Sequence, residues 1–187
     1  MRAGILDETG RFCEPADLPD TVPAAVRSRL QPDGDGWCFE LAKADVAAQG
    51  QPVCLWQRDV RELQLASGAI RAGISILLQQ ANLTADDLSS VLLAGAFGNY
   101  IRRHQARRIG LLPAIPEEKI HFVGNAASLG AKMILLSRKE REMAETCTAQ
   151  AEHVDLSLDP EFQFEFGMAM MFPGAEADGD FSGVLEG

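Results

Sequence analysis

Apolar and polar positions follow two different periods along this chain, and the switches between them mark its elements. Trp37-Cys38-Phe39-Glu40-Leu41-Ala42 and Pro52-Val53-Cys54-Leu55-Trp56 are short runs rich in strand-forming residues, separated by a polar stretch. They predict two strands joined as a hairpin. From Asp59 the period lengthens. Val60, Leu63, Ile70, Ile74 and Leu77 recur at helical spacing, with Ala66, Ala69 and Gly73 as an adjoining small-residue stripe. This pattern predicts a helix over 59–81 whose small stripe lies close on a sheet. Asp59 with Glu62 three residues later has the form of a capping box at its start. Asn82 closes it.

Two later segments share another design. Val91-Leu92-Leu93-Ala94-Gly95-Ala96-Phe97-Gly98-Asn99 is an apolar run that empties into a turn with two glycines. Residues 119–131 repeat the scheme: a strand over 119–123, then Gly124-Asn125, then a helix over about 125–148 that begins with Ala126, Ala127, Gly130 and Ala131. Glycine reaches backbone angles closed to other residues and carries no Cβ, so a ligand or another backbone can approach these turns closely. Ligands of α/β sheets bind outside the carboxyl ends of the strands. Two strand–Gly–Asn–helix units in succession suggest a nucleotide-type crevice, although a plain chain reversal would use the same residues.

Residues 1–36 are dense in Gly, Pro and Asp and read as loop, with one helical turn within 23–30. The basic stretch Arg102-Arg103-His104-Gln105-Ala106-Arg107-Arg108 reads as a short helix with a solvated face. An extended piece over 153–156 and a final helix rich in Phe and Met follow, then a frayed tail over 174–187. The fold class is α/β: a mixed sheet containing 37–42, 52–56, 91–96 and 119–123, with helices packed on it.

A net charge of −10 argues against non-specific binding to nucleic acid or to an anionic membrane. With 47% apolar residues the chain can bury a core. No apolar run approaches the roughly 18 to 20 residues that span a bilayer, and the first residues lack a signal-peptide core, so a cytoplasmic location is expected. Cys13, Cys38, Cys54 and Cys147 form no Cys-x-x-Cys motif, and His104, His121 and His153 are scattered, so no metal site or iron–sulfur cluster is expected.

Four segments together resemble one family. They are Asp59–Ala66 with Ala69–Gly73, Leu93-Ala94-Gly95-Ala96-Phe97-Gly98-Asn99-Tyr100, Ile109-Gly110-Leu111-Leu112-Pro113, and Val123-Gly124-Asn125-Ala126-Ala127 with Gly130-Ala131. They are similar to the carboxyl-terminal ATPase-type domain of the RACo-like proteins, the reductive activators of corrinoid proteins. That domain belongs to the sugar kinase/heat-shock chaperone/actin superfamily, in which two ribonuclease H-like halves clasp ATP and magnesium. The resemblance implies a ribonuclease H-like sheet forming one incomplete lobe over residues 1–173. It implies a contribution to ATP-dependent reductive activation of a corrinoid methyl-transfer protein, with Gly95, Ala96, Phe97, Gly98, Asn99, Gly124 and Asn125 on the nucleoside side. The superfamily's phosphate loops and the family's ferredoxin domain have no counterpart in these residues. The expected partners are therefore a corrinoid protein, the missing amino-terminal lobe or ferredoxin domain, and a second copy of the chain. Apolar side chains near the start (Ile5, Leu6, Phe12) and in the stretch Phe162 to Phe172 are expected to be left uncovered. The alternative is a non-catalytic docking module of the same fold.

Overall fold

The structure, a computed structural model, describes residues 4–95, 101–157 and 159–174. A short helix α1 (Ala24–Arg27) leads into an antiparallel sheet of β1 (Leu30–Asp33), β2 (Gly36–Ala42) and β3 (Val53–Leu55), in that spatial order. The expected hairpin of β2 and β3 is present, with Phe39 opposite Leu55 and Glu40 opposite Cys54. β1 is an addition to the sequence reading. Its Pro32 cannot donate to a ladder, which suits the sheet-edge position it holds.

The long helix α2 (Gln57–Gln80) begins two residues before Asp59. Asp59 is therefore not the capping residue but its reciprocal partner. Its carboxylate accepts the Trp56 amide at 2.9 Å while its own amide donates to the Trp56 carbonyl at 3.0 Å. Asn82, in the left-handed region at φ 54°, ends the helix. The inward face also differs from the expected one. Val60, Gln64, Ser67, Gly68, Ala72 and Ile76 are buried, whereas Leu63, Ile70 and Leu77 stand 42%, 50% and 51% exposed. The inner face is set by α6 (Pro160–Ala169), which packs along α2.

Parallel strands β4 (Val91–Ala94) and β5 (Ile120–Gly124) form a separate two-stranded sheet, so the four expected strands divide between two sheets. Between them lie α3 (Arg103–Arg108) and a 3-10 turn at Glu117–Lys119. The expected single helix after Asn125 is two. α4 (Ala126–Leu136) stops at Ser137, which is extended at φ −134° and whose hydroxyl caps α5 (Arg138–Gln150) by accepting the Glu140 amide at 3.3 Å. No strand forms over 153–156.

Among the described residues, buried apolar side chains gather in two clusters. The first gathers Phe12, Leu18, Val22, Leu30, Val60 and Phe172, with Ile5 and Leu6 packed against it. The expectation that Ile5, Leu6 and Phe12 would be uncovered is thus corrected: Phe12 is 4% exposed, because the opening loop folds back on α2 instead of facing solvent. Phe172 is buried too, while Phe164 and Met168 of α6 remain exposed. The second cluster joins Ala106, Leu112, Ile115 and Ile120, with Val91 and Leu93 against it.

Candidate nucleotide-side crevice

The alternation along β4 and β5 turns Val91, Leu93 and Ile120 into the second cluster and leaves Leu92, His121 and Val123 outside. In-register parallel pairing of Val91 with Ile120 and Leu93 with Phe122 brings the carboxyl ends of both strands to one edge. There the Gly95 amide donates to the Gly124 carbonyl at 2.7 Å. Both glycines are left-handed, Gly95 at φ 107° and Gly124 at φ 64°. A Cβ added at either would meet no atom of the described residues within 4 Å. The positive φ favours glycine at both positions, and no described residue fills the space above them.

Asn125 follows at the entrance to α4. Its side-chain oxygen accepts the Ser128 amide at 3.0 Å, a standard amino-terminal cap, and the residue is exposed. Of the seven residues expected on the nucleoside side, the structure brings Gly95, Gly124 and Asn125 together at one edge. Ala96, Phe97, Gly98 and Asn99 lie outside the described residues.

The arginine-rich stretch is less solvated than its composition suggests. Arg107 pairs with Glu117 at 3.9 Å, and the Arg103 guanidinium lies 5.5 Å from the centroid of the Phe122 ring. Of the arginines in this segment, Arg102 alone is exposed, and Arg103, Arg107 and Arg108 are half-buried. The reason is Ala106, fully buried in the second cluster, which presses α3 against the sheet.

Concave surface also occurs away from the glycine turns. A cavity of about 670 Å³ lies between α1 and the β2–β3 connection, lined by residues that include Arg29, Glu40, Lys43 and Asp45. Its mixed charges were not legible as a motif, since they are brought together only by the hairpin. Among the described residues no group of three or more His, Cys, Asp or Glu side chains could hold a metal ion, and no helix is long and apolar enough to cross a membrane.

Left-handed glycine turns thus sit at the carboxyl ends of two neighbouring parallel strands, the end at which α/β sheets bind ligands. Residues 1–181 match the family described as the C-terminal domain of RACo, the ASKHA domain, and the chain belongs to that family. It is 33% identical over 172 residues to the corrinoid activation enzyme RamQ of Eubacterium limosum, covering 92% of this chain and 29% of that protein. Over 114 residues it is 25% identical to the [Co(II) methylated amine-specific corrinoid protein] reductase of Methanosarcina barkeri, covering 60% of this chain and 21% of that one. A solved structure, of a reductive activator for corrinoid, iron-sulfur protein, superposes with a TM-score of 0.77 at 32% identity, covering 92% of this chain and 26% of that chain. The chain thus spans under a third of the length of the relatives it matches.

Proposed function

We propose that this chain contributes the nucleoside-side portion of an ATP-dependent reductive activator of corrinoid proteins. The observation that carries the reading is the Gly95–Gly124 hydrogen bond at the carboxyl edge of β4 and β5, with no described residue over either turn. Membership of the ASKHA family and the corrinoid activators among its relatives support it. The residues here fit one end of ATP better than the other. Backbone amides, carbonyls and the Asn125 amide can meet the hydrogen-bonding edge of a base or the hydroxyls of a ribose. Phosphoryl transfer requires charge and metal placed at the γ-phosphate, and the matched segment supplies glycine turns instead. Binding the nucleoside end would orient ATP, while the groups that hold phosphate and magnesium belong to polypeptide outside the matched region. The corrinoid protein is the partner on which the assembled activator would act.

Isothermal titration with ATP and magnesium tests this reading. The wild-type chain is expected to bind in the high micromolar range or weaker, since charge-assisted bonds to phosphate are the strong ones. Gly95→Val, strained at φ 107° as well as bulky, should abolish that binding, with a thermal melt of the same variant reading whether the rest of the chain stays folded. Binding unaltered by Gly95→Val would refute the site. Nanomolar binding by the isolated chain would show that phosphate contacts lie within it, and no binding even in a completed activator would leave the docking-module reading.

A further inference from the structure

Cys38 and Cys54 come from neighbouring strands and meet on one face of the antiparallel sheet. β2 pairs with β3 so that Phe39 lies opposite Leu55 and Glu40 opposite Cys54. Side chains alternate along a strand, so Cys38, two residues before Glu40, shares a face with Glu40 and, diagonally across the ladder, with Cys54. Trp37, Phe39 and Leu55 hold the alternate positions and pack against the first apolar cluster. The two thiols are hydrogen-bonded to each other, and both are free. Cys38 is 3% exposed, and Cys54 is half-buried. Cys13 packs against the first cluster instead, and Cys147 is exposed on α5.

Two touching thiols can bind a metal or be oxidised. A closed zinc site takes four ligands, and among the described residues no group of three or more His, Cys, Asp or Glu side chains could hold a metal ion. Oxidation needs only the pair. In a regular ladder the Cα atoms of diagonal neighbours lie about 7–8 Å apart, whereas a disulfide spans about 4.4–6.8 Å. Forming the bond therefore draws β2 and β3 together along the diagonal. The ladder has slack for this movement, because its register shifts between Glu40 and Ala42. A bond closed against such strain is easily reduced.

We infer that Cys38 and Cys54 are a reversible redox pair, joined as an intrachain disulfide by a low-molecular-weight disulfide such as oxidised glutathione and returned to thiols by the matching free thiol. Cys54, the more accessible, reacts first. Its thiolate attacks one sulfur of the small disulfide, forming a mixed disulfide and expelling a thiolate that takes up the Cys54 proton. Burial, and then the Cys54 thiol, keep Cys38 protonated, so it does not compete for that step. In the second step Cys38 gives up its proton and its sulfur attacks the Cys54 sulfur, and the second small thiolate leaves and takes that proton. One small disulfide is thereby reduced to two thiols, while the two protein thiols become one disulfide. β3 runs through Trp56 into α2, so the bond ties the start of the long helix to the central strand of the sheet.

The test incubates the whole chain with oxidised glutathione, blocks the remaining thiols by alkylation, digests with trypsin and reads the products by mass spectrometry. Cleavage at Lys43 separates the two cysteines, so a bond between them appears as a linked pair of peptides lacking two hydrogens. That pair is the expected product, and excess reduced glutathione should restore both thiols. Cys38→Ser should stop at the glutathione adduct of Cys54, whereas Cys54→Ser should leave Cys38 unmodified. Thermal melts show whether each variant folds; if one does not, the linkage in the wild-type chain and its reversal decide alone. A wild-type chain in which Cys54 keeps its glutathione, or in which Cys38 bonds to Cys13 or Cys147, overturns the inference. So does the same mixture of linkages from native chain and from chain unfolded in urea, which would make the pairing a property of the sequence and not of the sheet. A Cys38–Cys54 bond that survives excess reduced glutathione overturns the reversible pair.

Discussion

Asp7 accepts the Thr9 hydroxyl at 2.7 Å and the Arg11 amide at 3.0 Å, closing the turn that delivers Phe12 to the first cluster. Burial pushes its carboxyl up, but these hydrogen bonds and the nearby Arg11 charge outweigh that and hold it below the ordinary carboxylate range. A carboxylate depressed in the folded state contributes stability above its unfolded value of about 3.9, and loses it as pH falls through the folded value. The stability gap between wild type and Asp7→Asn, open at pH 7, should therefore close below about pH 4. Urea melts across pH 3 to 7 check this, and a gap independent of pH would exclude the turn as its source. The cysteines make a second case. Burial, and then the neighbouring Cys54 thiol, push the Cys38 thiol up, while Cys147 is exposed on α5. Alkylation of the native chain followed by mass spectrometry should label Cys147 first and Cys38 last, because the thiolate is the reactive form.

Among the elements, α2 shows what a helical period can and cannot reveal. Its existence and length were legible from apolar spacing, yet its inner face was not. Gln64 is 1% exposed and donates to the Thr9 carbonyl at 2.9 Å and to the Met170 carbonyl at 2.7 Å. A polar residue satisfied by two distant carbonyls outranks the leucines of the pattern, and nothing local announces it. Gln64→Ala should cost about 2 to 4 kcal/mol in denaturant melts, since it orphans both carbonyls. Gly68 permits the close approach of α6, for a Cβ there would lie 3.2 Å from the Met170 side chain and 3.3 Å from backbone. Gly68→Val should separate the two helices. A Cβ at Gly167 in α6 would meet no atom of the described residues within 4 Å, so Gly167→Ala should add about 0.5 to 1 kcal/mol by restricting the unfolded chain. The glycine turns after β4 and β5 were legible because glycine is the default where φ is positive. The division into two sheets was not, since strand pairing depends on contacts far apart in sequence.

At the scale of the molecule, the opening loop, α2 and the end of α6 close on one another. The Phe172 amide donates to the Glu8 carbonyl at 2.9 Å, and the Arg71 guanidinium reaches the Met168 and Met171 carbonyls at 3.3 Å each. Removing residues 160–187 should therefore unfold the loop around Phe12 as well as α2, seen as rapid proteolysis within residues 4–30. Time enters here. Gln64 and Met170 are 106 residues apart, and a ribosome adding about 5 to 20 residues per second separates their appearance by roughly 5 to 20 s. During that interval the inner face of α2 has no α6 to receive it, so the first core cannot close until α6 has been made. Nascent chains stalled before residue 160 should remain open to protease and attractive to chaperones. Release past Phe172, once clear of the exit tunnel, should bring protection of both ends in a single step.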